Sequence, residues 1–348
     1  MMPSFFDKIP LIGLSPMDGI TDEPFRLVQT RIAKPDLIFT EFVSAEGIAH
    51  GGLKLFDNLL YSPKERPIIA QLFGKDPDSF YQAAIILCHL GFDGIDINMG
   101  CPAKTVTQHG SGAALIAKPD LAVEIIKSVK SAISDYCSGK TKIADLKIKE
   151  KIEKVIDRNL KYSRLDPSTI RSRPSLSVKT RLGIDQSVIT TWLPTILSTK
   201  LDFITLHGRT LKQGYSGLAD WGEISKAAEI VHQLNTKIIG NGDIQTRQQG
   251  LDFCKKFNVD GILIGRSALG NPWAFSDITP TVSDKFNTAF LHAQIFLQVF
   301  PARRFEPLRR HFLAYASGLP HAKQLRQKLV LVNSLFEFQD LESDFLGC

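Results

Sequence analysis

Short apolar runs recur along this chain, separated by segments long enough to form helices. Eight such runs occur, at 11–14, 37–42, 67–73, 94–98, 176–180, 203–207, 237–241 and 261–265. Most are almost continuously apolar, which is typical of parallel strands that are buried on both faces. Eight strands with a helix after each predict an α/β fold, a (β/α)8 TIM barrel. A doubly wound open sheet is the alternative, but no G-x-G-x-x-G motif follows the first run.

The length of 348 residues suits a barrel of about 250 residues with an appended domain. The strand-like runs end before Pro272, and residues 285–348 show helical periodicity. We therefore expect a catalytic barrel over 1–280 and a small C-terminal α-helical domain over 281–348. Residues 138–174 interrupt the alternation before the fifth strand, and their apolar spacing predicts an inserted amphipathic helix. By barrel topology, this insertion should emerge at the amino-terminal face.

The surplus of positive charge is confined to the insertion. Residues 140–173 contain eleven Lys or Arg and five Asp or Glu, which accounts for the whole net charge of +6. A local basic excess favours contact with a polyanion, but a solvated surface helix shows the same composition. The charge alone therefore leaves both interpretations open.

Several classes of protein are disfavoured by the composition. No apolar run of about 18 residues is present, so we expect no membrane span. The first residues lack the basic-then-apolar layout of a signal peptide. The five cysteines are scattered without a C-x-x-C pair, which argues against a zinc site and a disulfide framework. We expect a cytoplasmic, monomeric protein without a metal.

Polar side chains follow the apolar runs directly, at the end where an α/β barrel holds its active site. The fourth run leads into Asn98 and Cys101, and the fifth ends with Lys179 and Arg181. A lysine inside a barrel must be paired or functional, because an isolated buried charge is costly. His207 ends the sixth run, where a satisfied core histidine is the alternative. Together these residues predict a catalytic site.

The loops after the last two runs predict a phosphate site. Residues 240–243 read GNGD and residues 265–267 read GRS. TIM barrels often bind phosphate at these two loops. Glycines let backbone N–H groups approach an anion, and Arg266 can bind it through two parallel hydrogen bonds. A phosphate at one end, with an amide, a lysine and a thiol around a flat group at the other, fits FMN.

These motifs together resemble the tRNA-dihydrouridine synthase family. The stretches concerned are LSPMDGITD (14–22), IAQLFG (69–74), DINMGCPAKTVTQHGSGAAL (96–115), VKTRLG (178–183), HGRTLKQGYSGLADW (207–221), NGDI (241–244) and DGILIGRSALGNPW (260–273). The tail at 309–326 is similar to the family's C-terminal helical domain. The resemblance covers nearly the whole chain except 138–174, an insertion that is not a usual family feature. Asp18 also departs from the pattern, since Ala is commoner there.

The resemblance implies an enzyme that uses NADPH and FMN to reduce one uridine of tRNA to 5,6-dihydrouridine. Hydride would pass from reduced FMN to C6, and Cys101 would donate a proton to C5. Asn98 and Arg181 would contact the flipped uracil, and basic residues between 303 and 328 would contact the tRNA. The residues that would hold FMN are Pro16, Met17, Asp18, Gln71, Lys179, His207, Asn241, Gly242, Asp243, Gly265 and Arg266.

Two other functions are compatible with parts of this pattern. A different FMN barrel oxidoreductase, acting on a free pyrimidine or a small enone, would share Lys179 and the phosphate loops. It would give no reason for a basic helical tail. A tRNA-binding or folding protein with a vestigial flavin site would explain the tail, but it predicts damage at catalytic positions. Cys101, Lys179 and His207 are all present.

Overall fold

In the computed structural model, which describes residues 3–146, 148–166 and 173–346, parallel strands close into a barrel. The order is β1 to β8, with β8 pairing with β1. The strands are β1 Leu11–Leu14, β2 Ile38–Ser44, β3 Ile68–Phe73, β4 Gly94–Met99, β5 Ser175–Arg181, β6 Phe203–His207, β7 Lys237–Asn241 and β8 Gly261–Ile264. Each predicted apolar run coincides with one of them, so the predicted TIM barrel is confirmed.

Helices surround the barrel and continue beyond its last strand. They are α1 Glu23–Ile32, α2 Ala45–Ala49, α3 Pro77–His89, α4 Lys104–Thr107, α5 Pro119–Cys137, α6 Glu150–Ser163, α7 Ile189–Leu197, α8 Trp221–Gln233, α9 Arg247–Phe257, α10 Val282–Val299, α11 Glu306–Tyr315, α12 Ala322–Leu329 and α13 Leu335–Leu346. Asp22, Asp76 and Asp220 start α1, α3 and α8 by accepting a backbone N–H hydrogen bond of the first turn. Such caps satisfy donors that the helix itself leaves free.

The barrel interior changes from apolar at one end to polar at the other. Near the amino ends of the strands, Phe39, Ile69 and Phe203 belong to a buried apolar cluster that Phe6 covers. The rings of Phe6 and Phe203 are 5.3 Å apart, edge to face. Nearer the carboxyl ends, Gln71 and Asp96 are fully buried and hydrogen-bonded to each other. Within the barrel interior, the carboxyl end is therefore the one suited to a polar ligand.

Helices α10 to α13 form a second hydrophobic core, in which Phe312 and Phe338 are almost fully buried. This helical domain lies against α1, where Ile295 packs on Leu27 and Val28. Arg310 of α11 also donates a hydrogen bond from Nη1 to the carbonyl oxygen of Gly19, at 2.7 Å. Gly19 lies in the loop between β1 and α1, so the helical domain contacts the active-site end of the barrel directly.

Helix α6, within the insertion, lies along the outside of the barrel. Asn159 Nδ2 donates to the Phe56 carbonyl at 2.8 Å, and the Tyr162 hydroxyl donates to Glu23 Oε1 at 2.6 Å. Phe56 follows α2 and Glu23 begins α1, so both contacts lie on segments that follow the carboxyl ends of strands. The insertion is expected to emerge at the amino-terminal face, after α5 and before β5, but α6 itself makes these contacts with segments that follow the carboxyl ends of β1 and β2. Residues 147 and 167–172 of the insertion lie outside the described part of the chain.

Candidate active site

A cavity of about 1090 Å³ opens at the carboxyl end of the barrel. The site residues expected from the sequence come from seven of the eight strand ends, and all of them line this cavity. They are Pro16, Met17, Asp18, Gln71, Asn98, Cys101, Lys179, Arg181, His207, Asn241, Gly242, Asp243, Gly265 and Arg266. Parallel strands that end at one rim bring such residues together although they are far apart in sequence.

A chain of buried hydrogen bonds fixes the loop that carries Cys101. Asp96 Oδ2 accepts from Gln71 Nε2 at 2.7 Å, and Gln71 Oε1 accepts from Asn98 Nδ2 at 2.9 Å. Asn98 Oδ1 then accepts from the backbone N–H groups of Gly100 and Cys101, at 3.0 and 2.8 Å. Because the Gln71 and Asn98 side chains are buried and paired at both amide atoms, their orientations are fixed. Gln71 and Asn98 therefore position the cysteine.

The Cys101 thiol is half-buried at the cavity wall. Burial raises its pKa, and the carboxylate of Asp18 adds to this effect, while the backbone N–H of Ala103 opposes it. A free thiol already titrates near 8.5, so this thiol stays protonated at neutral pH. Cys101 can therefore act as a proton donor.

Lys179 and His207 both line the cavity, and neither forms an ion pair with an acidic group among the described residues. Burial and the nearby Arg181 lower the pKa of Lys179 to about 8, and no described residue accepts a hydrogen bond from its Nζ. Burial also lowers the pKa of His207 to about 2, helped by the cations around it. His207 is therefore neutral at physiological pH, and Lys179 has free donors for an anionic or electron-rich ligand.

Arg181 connects two loops at the rim of the cavity. Its Nε donates to the Gly100 carbonyl at 2.6 Å, and its Nη1 donates to the Thr210 carbonyl at 3.1 Å. The side chain is almost completely buried. Arg181 thus holds the loop after β4 against the loop after β6.

The loops after β7 and β8 leave bare backbone at the other end of the cavity. Gly242 has φ +135°, and a Cβ there would lie 2.5 Å from the Ala219 Cβ, so the fold requires glycine. At Gly265 a Cβ would meet nothing closer than the Ser15 Cβ, at 3.5 Å. Protein packing therefore does not demand glycine at 265, and the missing side chain leaves space on the cavity side.

A cluster of guanidinium groups surrounds Asp243 at this end. Arg266 Nη2 donates to Asp243 Oδ1 at 2.9 Å, and Arg209 Nη2 donates to Asp243 Oδ2 at 2.8 Å. Arg209 is only 2% exposed, yet its Nε and Nη1 have no hydrogen-bond partner among the described residues. Two buried cationic donors without an acceptor make this end of the cavity suited to an anion.

Three residues shape the site beyond those that were given a role from the sequence, although Arg209 lies in the polar stretch that follows the sixth strand. Arg209 and Tyr215 line the cavity, and Asp96 anchors the hydrogen-bond chain beneath it. Tyr215 is 66% exposed at the cavity mouth, with the Arg266 guanidinium 5.6 Å from its ring centre. The signal for Arg209 and Tyr215 was their place in the loop after β6. Asp96 could not be found in this way, because it precedes the strand end.

Within the described ranges, no three His, Cys, Asp or Glu side chains are arranged to hold a metal ion. None of the described helices combines the length and apolar character needed to cross a membrane. Cys88, Cys101, Cys137 and Cys254 are free thiols, and Cys348 lies outside the described residues.

The sequence is similar to known proteins along almost its whole length. It is 31% identical over 358 residues to a probable tRNA-dihydrouridine synthase of Staphylococcus aureus (strain MRSA252), covering 99% of this chain and 96% of the relative. It is also 31% identical over 356 residues to a probable tRNA-dihydrouridine synthase 2 of Bacillus subtilis (strain 168), covering 99% of this chain and 97% of that relative. Among solved structures, DHODH from Eimeria tenella in complex with ferulenol aligns with a TM-score of 0.47 at 14% identity, covering 83% and 82%.

Residues 13–161 and 173–346 match the dihydrouridine synthase family. The interruption at 162–172 is narrower than the segment 138–174 that the sequence analysis leaves outside the resemblance, and α6 lies almost wholly within the matched range. A match of this extent, together with relatives aligned along their whole length, decides the classification. The chain is an enzyme and belongs to the dihydrouridine synthase family.

Proposed function

We propose that this protein is an NADPH- and FMN-dependent enzyme that reduces one uridine of tRNA to 5,6-dihydrouridine. The observation that carries the proposal is the cavity itself. It combines a protonated thiol, a lysine with free donors and a cationic end with bare backbone. Family membership and the names of the two relatives support the same reaction and the same substrate.

The cavity fits FMN at both of its ends. Gly242, Gly265 and Arg266 would hold the phosphate, with the buried N–H groups of Arg209 as further donors. Lys179 and His207 would face the flavin ring, with Gln71 and Asn241 nearby and residues 16–18 along one side. When bound, reduced FMN supplies the hydride that saturates the C5–C6 bond of uracil. A protonated Lys179 would favour the anionic form of the reduced cofactor electrostatically.

The residues of this chain would complete the reduction by delivering a proton. Cys101 is held at the cavity wall by the hydrogen bonds from Gly100 and Cys101 backbone N–H to Asn98, and its thiol would donate to C5. Asn98 and Arg181 are engaged with the protein, so they would contact the base through their remaining N–H groups. Arg181 uses Nε and Nη1 in the structure, which leaves Nη2 for the uracil.

We assign tRNA binding to the helical domain, from residue 281 onward. The target base must leave the stack to enter the cavity, and contacts with RNA phosphates must offset that cost of a few kcal/mol. Arg309, Arg310 and Arg326 already bind backbone carbonyls within the protein. Arg304 and Lys323 are exposed and make no ion pair with the described residues, so they are the better phosphate contacts.

The test is a comparison of substrates with the purified protein and NADPH. Unmodified tRNA and free uridine are supplied as electron acceptors, dihydrouridine is quantified by mass spectrometry, and the bound flavin is released and identified. We expect FMN, and dihydrouridine at one position of the tRNA.

Reduction of free uridine at a comparable rate would instead favour a small-molecule oxidoreductase. A protein that neither carries nor takes up FMN would overturn the proposal, as would one that carries FAD alone.

A further inference from the structure

Helix α6 carries its basic residues on one side only. The spacing of three or four residues places them on one face of the helix. This α6 basic face consists of Lys151, Lys154, Arg158 and Lys161. The acidic residues at 150, 153 and 157 lie on the adjacent face, and the buried residues Ile152 and Ile156 lie opposite, against the protein.

The α6 basic face borders the helical domain. Arg158 Nη2 lies 2.9 Å from Asp57 Oδ1, and Arg303 Nη2 lies 2.8 Å from Asp57 Oδ2. Asp57 thus joins α6 to the segment between α10 and α11, where Arg304 is also exposed. Through this shared carboxylate, the α6 basic face adjoins the cations at the start of the helical domain's second helix.

Hydrogen bonds hold the α6 basic face in place, and some of its lysines have no anionic partner among the described residues. The Asn159 and Tyr162 hydrogen bonds hold α6, and Tyr162 also packs on the core of the helical domain. Lys151 and Lys161 make no ion pair with any described residue. The Lys154–Glu150 pair is 73% and 78% exposed, and such surface pairs contribute little.

We propose that the α6 basic face binds phosphates of the tRNA substrate and extends the RNA-binding surface of the helical domain. The inference rests on the proposed function. A rigid cationic face beside other unpaired cations favours the binding of a nucleic acid, because each neutralised phosphate releases a condensed counterion.

The experiment measures tRNA affinity against salt concentration for a triple variant, Lys151→Gln, Lys154→Gln and Lys161→Gln. Arg158 is kept because it bonds to Asp57. The matched control is Lys127→Gln, Lys255→Gln and Lys256→Gln, three exposed lysines on α5 and α9. We expect the log–log slope to flatten by about 0.7–0.9 for each lost contact in the α6 variant. The control should keep the wild-type slope, and both should keep turnover at saturating tRNA.

Parallel slopes for the wild type and the α6 variant would overturn the proposal, as would an equal change in the control. A second variant, Lys151→Glu with Lys161→Glu, should weaken tRNA binding further. Unchanged tRNA affinity in this variant would contradict the proposal. Dihydrouridine formation by the wild type separates the two claims. If tRNA is reduced while the slopes stay parallel, only the α6 surface fails. If tRNA is not reduced at all, the proposed function fails first.

Discussion

Cys101 owes its position to the side chains behind it. Asp96, Gln71 and Asn98 form a buried series of hydrogen bonds that ends on the backbone N–H of Cys101 itself. The Asp96 carboxyl is fully buried, and burial raises its pKa to about 6. At neutral pH it is therefore mostly ionised, and it accepts from Gln71 and Ser177. A thiol placed by a rigid support of this kind keeps its geometry without a bound ligand.

Replacement of Cys101 by Ala should remove the proton donor and spare the preceding steps. General acid catalysis is typically worth about 10²–10⁴-fold, so dihydrouridine formation should fall by that range. Reduction of the bound flavin by NADPH, measured without tRNA, and tRNA affinity should stay near the wild-type values. The matched control is Cys137→Ala, an exposed thiol at the end of α5. A Cys101→Ala enzyme with normal turnover would show that the thiol is structural.

Glu41 should make stability depend on pH. It is 4% exposed and its Oε1 has no partner among the described residues. Burial, assisted by Asp22, raises its pKa to about 7. A raised carboxyl pKa means that the folded protein binds the proton more tightly than the unfolded chain. The penalty is therefore absent below pH 4.5 and grows as the pH rises to 7, to about 3 kcal/mol.

Glu41→Gln should consequently gain stability over the wild type as the pH rises from 4.5 to 7. Urea unfolding at several pH values measures this difference. A difference in unfolding free energy that stays constant over that interval would mean that Glu41 is not held in its neutral form.

At the scale of secondary structure, α6 is held by apolar packing and by polar contacts together. Ile152 and Ile156 belong to the barrel core, and the Tyr162 hydroxyl adds a hydrogen bond to Glu23. Burial raises the pKa of Glu23 well above its ordinary value, with the nearby Glu65 contributing, and the Tyr162 hydroxyl opposes this rise. Glu23 Oε2 is buried without a described partner. The Tyr162 hydroxyl thus donates a hydrogen bond to a buried carboxyl group whose other oxygen has no partner among the described residues.

Tyr162→Phe should cost about 1–3 kcal/mol of unfolding free energy, because it leaves a buried acceptor unsatisfied. Tyr136→Phe makes the same chemical change at a half-buried site, where the hydroxyl lies 3.2 Å from His89 Nδ1. We expect a smaller loss there. Chemical denaturation of both variants provides the measurement. Equal losses, or none, would indicate that apolar packing alone holds α6.

At the scale of the whole molecule, the barrel and the helical domain each have a hydrophobic core of their own. The barrel core underlies the cavity, and the core of α10 to α13 is built around aromatic rings. The rings of Phe312 and Phe338 lie 4.8 Å apart. The two bodies meet at α1 and at Arg310, which binds the Gly19 carbonyl beside the cavity. The helical domain is thus joined to the active-site end without contributing to the barrel core.

Phe338→Ala should weaken the helical domain and spare the barrel. Truncation of a buried Phe costs about 3–5 kcal/mol. We expect reduced tRNA affinity with normal FMN content, measured by binding and by flavin absorbance. Phe80→Ala, in the barrel core, should lower FMN content as well. Loss of FMN in Phe338→Ala to the same degree would show that the two cores unfold as one.

The sequence alone predicted the barrel and the residues that line the cavity at its carboxyl end. Apolar runs of strand length report burial on both faces, and barrel closure brings the strand ends to one rim whatever their order. Residues such as Lys179 and Gly265 could therefore be placed in one cavity from their positions after strands. The predicted helix within the insertion likewise followed from its apolar spacing.

Only the tertiary structure decided how these side chains are paired and where the insertion lies. Asn98 bonds to the Cys101 loop, Asp243 binds two arginines, and α6 lies beside the helical domain. Spacing along a chain fixes which face a residue occupies, but hydrogen-bond partners are chosen by distances between segments remote in sequence. Glu23 and Tyr162, which are separated by 139 positions in the sequence, are an example. No local pattern encodes such a contact, because its energy exists only once both segments have packed.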